Sequence, residues 1–326
     1  MRTNPFTHLY AEANKGNSKE KLKNLPEFPR LIDIEVTNVC NFRCLMCPTG
    51  NRMMSRKSGY MEKATFYKIV DQIKGKNVGL RFIGWGEPLG HPEYLEFITY
   101  AKKQGILCHM NTNGSKLTRE IMELLCDLEF ESIKFSFQGV DQKSYREMRN
   151  TDYFNELLEV IRTMYEIRGE RPVPFMQVSS TITYESPEMV EDFKEHVQKF
   201  TDFVNVGYTN LEHIDVTKVK LKKEEKVTLV SLKSHQIKFG EHPECPEVFD
   251  KLTINFDGTI TACAGDFNNL MLLGDLNKST IDEIWMSSTL FNYREMLADM
   301  QHDKLKLCST CYSIYEPEGR KKGTTV

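Results

Sequence analysis

Cys40, Cys44 and Cys47 place three thiols within eight residues, in the stretch TNVCNFRCLMCPTG that spans residues 37–50. With nine cysteines in 326 residues, the odds that composition alone puts two more at fixed offsets from a first are below about one in a thousand, so chance is set aside. Thiolates are soft metal ligands. Structural zinc prefers four closed ligands, commonly as CxxC pairs, and the next histidine along the chain, His91, comes well after this loop. A cubic iron–sulfur cluster has four irons, so three thiolates leave one iron open to something that is not protein. Half a zinc site and an open cluster are the two readings that remain, and the second implies chemistry at the vacant corner.

A second thiol group lies about two hundred residues away: Cys245, Cys263, and Cys308 with Cys311 in a CxxC. Four thiols with this spacing suit zinc or a second iron–sulfur cluster equally well. Cys108 and Cys126 are left over. Other candidate segments follow in order. GWGEPLG (84–90) looks at first like a dinucleotide fingerprint, but the third glycine would be Leu89, and Pro88 removes an amide where a phosphate would want one. NTNG (111–114), FSFQG (135–139) and YREMR (145–149) read individually as turns and a helix charge.

The elements that position these residues alternate. Strand patterns lie at LIDIEV (31–36), VGLRFI (78–83), GILCHMN (105–111), SIKFSF (132–137), FMQVSSTIT (175–183) and DFVNVGY (202–208), with amphipathic helices near 62–74, 92–104, 118–127, 141–167 and 186–199. Six β/α alternations with crossovers of this length imply a parallel sheet, open or barrel-shaped, with its active site at the C-terminal ends of the strands. The rhythm stops near residue 208. A charged stretch over 209–240 reads as a linker, and FDKLTINFDGTITAC (249–263) as a hairpin turning at Asp257-Gly258, followed by a short helix that Ser279 or Thr280 caps. The expected organisation is an arm over 1–30, an α/β barrel over 31–208, the linker over 209–240 and a smaller unit over 241–326.

Composition excludes other classes. The chain is 40% apolar, enough for a sizeable core, and Lys+Arg 43 against Asp+Glu 46 gives a net charge of -3, which provides no basic field for nucleic acid or anionic lipid. No signal peptide and no run of eighteen apolar residues is present. A cytoplasmic protein with reduced thiols is expected, with no nucleic acid and no membrane among its partners.

In its order of motifs the chain resembles the radical S-adenosylmethionine (SAM) enzymes, whose CxxxCxxC signature follows the first strand of a partial (β/α)6 TIM-like barrel. The resemblance implies a 4Fe–4S cluster held by Cys40, Cys44 and Cys47. Its open iron would chelate SAM, whose reductive cleavage gives a 5'-deoxyadenosyl radical that abstracts hydrogen from substrate. Met46 stands where relatives often carry an aromatic residue, and either side chain can cover a cluster. GWGEP resembles the GGEP segment, implying that Gly84, Trp85, Gly86, Glu87 and Pro88 hold the SAM ammonium, with Glu87 as the charged acceptor. NTNG and FSFQG resemble the TNG and SxDG segments. They imply contacts from Asn113 and Ser136, with Arg149 pairing the SAM carboxylate and Arg146 as its competitor, while Gln138 replaces the usual Asp. Thr181 and Ile182 are candidates for the adenine.

Cys245, Cys263, Cys308 and Cys311, with FDGTITAC, LGDL and IDEIW, resemble the C-terminal SPASM extension in its shortened twitch form. The implied auxiliary 4Fe–4S cluster is fully ligated, which leaves it electron transfer. Aminocyclitol dehydrogenases of this type oxidise an alcohol carbon, whereas epimerases quench the radical with a thiol, for which Cys108 on a strand near NTNG is the better candidate and Cys126 the poorer. The short N-terminal arm favours a small-molecule substrate such as a sugar, aminocyclitol or nucleotide sugar over a peptide, and a flavodoxin or ferredoxin would supply electrons. A non-catalytic electron carrier or zinc-stabilised binding module is the alternative of another class. Residues 209–240 and the tail EPEGRKKGTTV are candidates for shielding a radical from solvent.

Overall fold

Strands built on alternating apolar residues form one main sheet in the computed structural model, which describes residues 2–211, 214–236, 239–241, 245, 247–311 and 315–317. Two short N-terminal helices, α1 (Thr7–Ala13) and α2 (Ser18–Lys23), precede β1 (Leu31–Ile34). Then α3 (Lys63–Ile73), β2 (Gly79–Phe82), α4 (Tyr94–Lys103), β3 (Leu107–Thr112), α5 (Arg119–Asp127), β4 (Ser132–Ser136), α6 (Gln142–Arg149), α7 (Phe154–Arg168), β5 (Phe175–Ile182), α8 (Pro187–Val197) and β6 (Phe203–Tyr208) alternate as the sequence pattern requires. The six strands run parallel in the order β1 to β6. The sheet does not close, as expected of a partial barrel.

Alternation decides which residues face inward. Ile32, Ile34, Leu80, Phe82, Met110, Ile133, Phe135, Met176 and Val178 point outward into the apolar layer under the helices, each at most 1% exposed. Asp33, Arg81, His109, Lys134 and Gln177 take the opposite parity and make the lumen polar. At its N-terminal end α1 covers the barrel, packing Phe6 and Leu9 on Leu31 with Leu107 alongside.

Three local outcomes differ from the sequence pattern. The expected helix 141–167 is two, because Asn150 takes a left-handed conformation (φ 56) as the cap of α6, a role asparagine fills with little strain. The break puts Arg149 in the last turn of α6, over the thiol loop. The charged 209–240 segment contains α9 (Lys223–His235), whose Leu229 and Leu232 pack with Leu211 and Ile214 against Leu45 and Met148. The C-terminal hairpin, β8 (Lys251–Ile254) and β9 (Thr259–Thr261), makes no sheet of its own. Instead β8 pairs in parallel with β1, and β9 is followed by antiparallel β10 (Leu272–Asp275), giving nine strands in the order β10-β9-β8-β1-β2-β3-β4-β5-β6.

The hairpin loop is longer than the Asp257-Gly258 pair: Gly258 N donates to Asn255 O at 3.0 Å, and Gly258 itself takes the left-handed region at φ +82. Thr280, not Ser279, caps α10 (Ile281–Trp285), with a reciprocal Glu283 bond, and α11 (Ser288–Ala298) follows. A separate pair joins β7 (Phe239–Glu241) to β11 (Tyr315–Pro317). Residues 318–326 of the tail lie outside the described residues.

Candidate active site

The thiol loop leaves β1 at the C-terminal mouth of the barrel. Cys44 is buried and Cys40 and Cys47 are partly so. The loop is tied down by bonds from Leu45 N to Met148 O at 2.8 Å, Asn51 N to Cys47 O at 2.8 Å and Asn51 Nδ2 to Leu45 O at 3.0 Å. Burial pushes the Cys40 thiol up to about 12 and raises Cys47, and the neighbouring thiols push in the same direction. Thiolates crowded in so dry a place need a cationic core to be stable. The donor set, three soft sulfurs with no fourth protein ligand from the loop, fits an iron–sulfur cube with one open corner.

Glu87 lies beside this loop, 3% exposed. Its carboxylate accepts from Thr112 Oγ1 at 2.7 Å, Asn113 N at 2.8 Å and Leu89 N at 3.3 Å. Burial still raises its pKa, while those bonds and the more distant Arg149 pull it back. Gly86 makes this approach possible, because a Cβ there would lie 2.3 Å from Thr37 O and 2.6 Å from Val39 O. Gly84 is likewise pressed on Glu35, and Pro88 is the first residue of a short 3-10 turn that Glu87 caps. Asn113 continues the wall, its Nδ2 donating to Asn41 Oδ1 at 3.1 Å and reaching Cys40 Sγ at 4.0 Å.

Arg149 faces the loop from the other side, 7% exposed. One terminal nitrogen donates to Cys44 Sγ at 3.6 Å, the other donates to the Ser136 carbonyl, and Nε is buried without a partner. Ser136 therefore acts here through its backbone. Arg146, by contrast, is exposed on α6, so the structure places Arg149 and not Arg146 at the loop. A buried carboxylate and a buried guanidinium on either side of three thiols are complementary to a zwitterionic amino acid.

Sequence reasoning missed the frame behind these groups. Glu35, the inward residue after β1, forms a bidentate pair with Arg56 at 2.8 and 2.9 Å and accepts from Trp85 N at 3.1 Å. Arg56 Nε also donates to Phe267 O at 2.9 Å, and Ser55 N to Asn268 Oδ1 at 2.7 Å. Trp85 sets its ring edgewise on Phe267, centroids 5.6 Å apart, so one buried ion pair joins the thiol loop, GWGEP and the C-terminal unit. An acid at alternating positions 33 and 35 of an otherwise apolar strand was the available signal.

Other expected residues are placed differently. Met46 packs against the apolar cluster of Leu211, Ile214, Leu229 and Leu232. Gln138 Nε2 donates to Thr181 Oγ1 at 2.5 Å and Thr209 Oγ1 at 2.6 Å, forming a polar cluster across the ends of β4, β5 and β6. Ile182 is turned to the outer apolar core, away from the lumen that Thr181 faces, so its side chain is not at the site. Cys108 also has outward parity. It is fully buried with Met110 in the layer under the helices, and Tyr94 of α4 is among the groups its charge would act upon. It does not face the lumen, and neither it nor Cys126, buried in the same layer, is brought to the mouth.

At the far end, Cys245, Cys263, Cys308 and Cys311 are gathered closely enough to act on one another. Burial pushes Cys245 up to about 11, Cys308 up to about 12 and Cys263 well above the usual thiol range, and mutual repulsion adds to each. Asp266 shapes the loop after Cys263, accepting from Thr261 Oγ1 at 2.7 Å, Leu270 N at 2.8 Å and Met271 N at 2.7 Å. Four soft donors within electrostatic reach of one another again suit a metal cluster.

Residues 34–200 match the model of the Radical SAM superfamily. The chain belongs to that superfamily. Its residues 245–312 match the SPASM iron–sulfur cluster-binding domain. This radical SAM protein thus binds SAM and a 4Fe–4S cluster, and its SPASM region binds further iron–sulfur. Among curated relatives, it is 34% identical over 106 residues to the tungsten-containing aldehyde ferredoxin oxidoreductase cofactor-modifying protein of Pyrococcus furiosus, covering 32% of this chain and 29% of that one. It is 26% identical over 163 residues to the AdoMet-dependent heme synthase of Methanosarcina barkeri, covering 50% and 45%. The chain thus spans less than half the length of these relatives.

Solved structures share its fold. SuiB of Streptococcus suis bound to S-adenosylmethionine has a TM-score of 0.65 at 17% identity, over 90% of this chain and 74% of that one. BtrN in complex with AdoMet and 2-DOIA has a TM-score of 0.57 at 16% identity, over 87% and 93%. No helix among the described residues is long and apolar enough to cross a membrane.

Proposed function

We propose that this radical SAM protein cleaves SAM reductively and removes a hydrogen atom from a small polar molecule, most directly a sugar, aminocyclitol or nucleotide sugar, oxidising an alcohol carbon. The observation that carries the reading is the buried pair Glu87 and Arg149 flanking the three-thiol loop, a charge pattern made for an amino-acid zwitterion. Bound together, the cluster and SAM supply a 5'-deoxyadenosyl radical, and an auxiliary cluster offers a place for the electron that oxidation releases.

In this reading Cys40, Cys44 and Cys47 hold the first cluster and Cys245, Cys263, Cys308 and Cys311 the second. Glu87, fixed by Thr112 and Asn113, receives the ammonium. Arg149, braced on the Ser136 carbonyl, receives the carboxylate and lends positive charge to Cys44. Asn113 and the Gly84–Pro88 loop line the same wall, and Thr181 with Gln138 and Thr209 bounds it on the β5 and β6 side. The Glu35–Arg56 pair fixes the spacing between loop and C-terminal unit, a positioning role, since it touches neither thiol group. The division into an arm (1–30), barrel (31–208), linker (209–240) and auxiliary unit (241–326) is part of the proposal, with α9 covering the thiol loop from within the linker. A flavodoxin or ferredoxin is the proposed electron donor.

The likeness to SuiB, which has also been crystallised bound to the precursor peptide SuiA, favours a second reading in which a peptide enters the same mouth. Anaerobic reconstitution with iron and sulfide counts, followed by an assay for 5'-deoxyadenosine from SAM and reductant, tests the shared part. About eight irons per chain and SAM cleavage support it; zinc or an inert chain rejects it. Oxidation of a polyol in the presence of SAM, against modification of a peptide, separates the two substrates.

A further inference from the structure

The lumen below the thiol loop holds a cation with no ion-pair partner among the described residues. Lys134 sits in the middle of β4 with inward parity, between Ile133 and Phe135, which are both fully buried in the outer core. The charges that act on it are those of Arg81, Asp33 and Lys251 on β2, β1 and β8. The other charged groups of this interior are paired: Arg81 Nε donates to Asp33 at 2.7 Å, Arg56 binds Glu35 through both carboxylate oxygens, and Lys251 Nζ donates to Glu247 at 2.6 Å. No bond or ion pair among the described residues reaches the Lys134 ammonium. Burial and the nearby guanidinium of Arg81 hold its pKa down at about 8.

What surrounds Lys134 is polar and open-valenced. Ser136, Ser179 and Asn205 lie in one register across β4, β5 and β6, and none of their side chains has a hydrogen-bond partner among the described residues. Deeper in the lumen, opposite Ser132, the imidazole of His109 is neutral, its pKa held at about 3 by burial. Its Nε2 is hydrogen-bonded to Asn111 Oδ1 at 2.9 Å, while Nδ1, in a residue only 3% exposed, has no partner. Two residues of strand put Lys134 about 7 Å below Ser136, whose carbonyl braces Arg149. A short molecule of about that span would join the thiol mouth to the ammonium.

We propose that Lys134 is the substrate anchor: it receives an oxyanion, a carboxylate or phosphate, at one end of a small polyhydroxylated substrate whose hydroxyl groups meet Ser136, Ser179 and Asn205. Lys134, Ser136, Ser179 and Asn205 are each half-buried; an ammonium that is partly withdrawn from water is favoured opposite an anion, and hydroxyl and amide groups without protein partners are matched by a molecule that brings its own. The inference rests on the reading of the mouth as a SAM site and names the substrate class for it.

The test is calorimetric titration of the reconstituted protein with SAM, then with D-glucuronate, glucose 1-phosphate, D-glucose and a glutamate-containing decapeptide. Wild type is expected to bind at least one of the two sugar anions and to bind D-glucose roughly tenfold or more weakly. Lys134→Met is expected to erase that preference and Lys134→Arg to keep it, both with wild-type SAM affinity and iron content. Which anion binds decides between carboxylate and phosphate. Anion binding that survives Lys134→Met, absence of binding by either sugar anion, or Lys134-dependent binding of the peptide alone overturns the inference. A wild type that does not bind SAM overturns the reading of the mouth instead, whatever the anions do.

Discussion

Lys134→Met should make the protein more stable at neutral pH while removing its anion anchor. The ammonium is depressed from the ordinary 10.5 to about 8 by burial, so below pH 8 it is charged in both native and unfolded chains and only the native state bears the desolvation. At about 1.4 kcal/mol for each factor of ten in acidity, that penalty is about 3 kcal/mol as an upper bound. As pH rises from 8 towards 10.5 the native lysine loses its proton before the unfolded one, so the unfolded chain holds more protons and wild-type stability rises. A methionine of similar length keeps the packing and bears no such penalty at any pH. For a chain of 326 residues, 3 kcal/mol corresponds to roughly 4 °C in Tm. Anaerobic differential scanning fluorimetry of both proteins at pH 7 and pH 10 is the assay. The expected result is a higher Tm for the variant at pH 7 and a gap that narrows at pH 10. A variant equal to or less stable than wild type at pH 7, or a gap independent of pH, would refute the claim that Lys134 is charged, half-buried and without an ion-pair partner among the described residues.

Arg56→Met strands the buried Glu35 carboxylate and should destabilise the chain by about 3–5 kcal/mol, whereas Glu35→Leu combined with Arg56→Met should recover much of the loss; thermal melts of the three proteins decide it, and an Arg56→Met melt like wild type would show the pair to be unimportant. Glu87→Gln removes the charge and turns an amide donor towards Asn113 N or Thr112, so SAM affinity should fall about tenfold or more at unchanged iron content, measured by equilibrium dialysis. Cys108→Ala should leave both SAM cleavage and product stereochemistry intact at a stability loss of about 1 kcal/mol for the small cavity. Loss of epimerised product in that variant would restore the hydrogen-donor role that its outward placement argues against.

The sequence by itself determined the chemistry and the sheet. Three thiols at CxxxCxxC, four more at the far end and six β/α alternations depend on residue type, spacing and periodicity, all of which are written along the chain, and the strands and helices follow them closely. GWGEP and NTNG were legible as segments, yet their joint meaning at Glu87 rests on Thr112 and Asn113 approaching across two strands. Tertiary structure alone decided three things. Strand parity sent Cys108 and Ile182 outward and Lys134 inward, a distinction fixed only once register and the helix layer are known. The left-handed Asn150 ended α6 so that Arg149, and not Arg146, meets the thiols. Pairing of β8 with β1 brought Phe267 and Asn268 onto Arg56 and Ser55, joining two regions more than two hundred residues apart. Charge neutrality is a property of neighbours in space, and for that reason the one lumen cation without a partner among the described residues could not be recognised until Asp33, Arg81, Glu247 and Lys251 had been paired with one another.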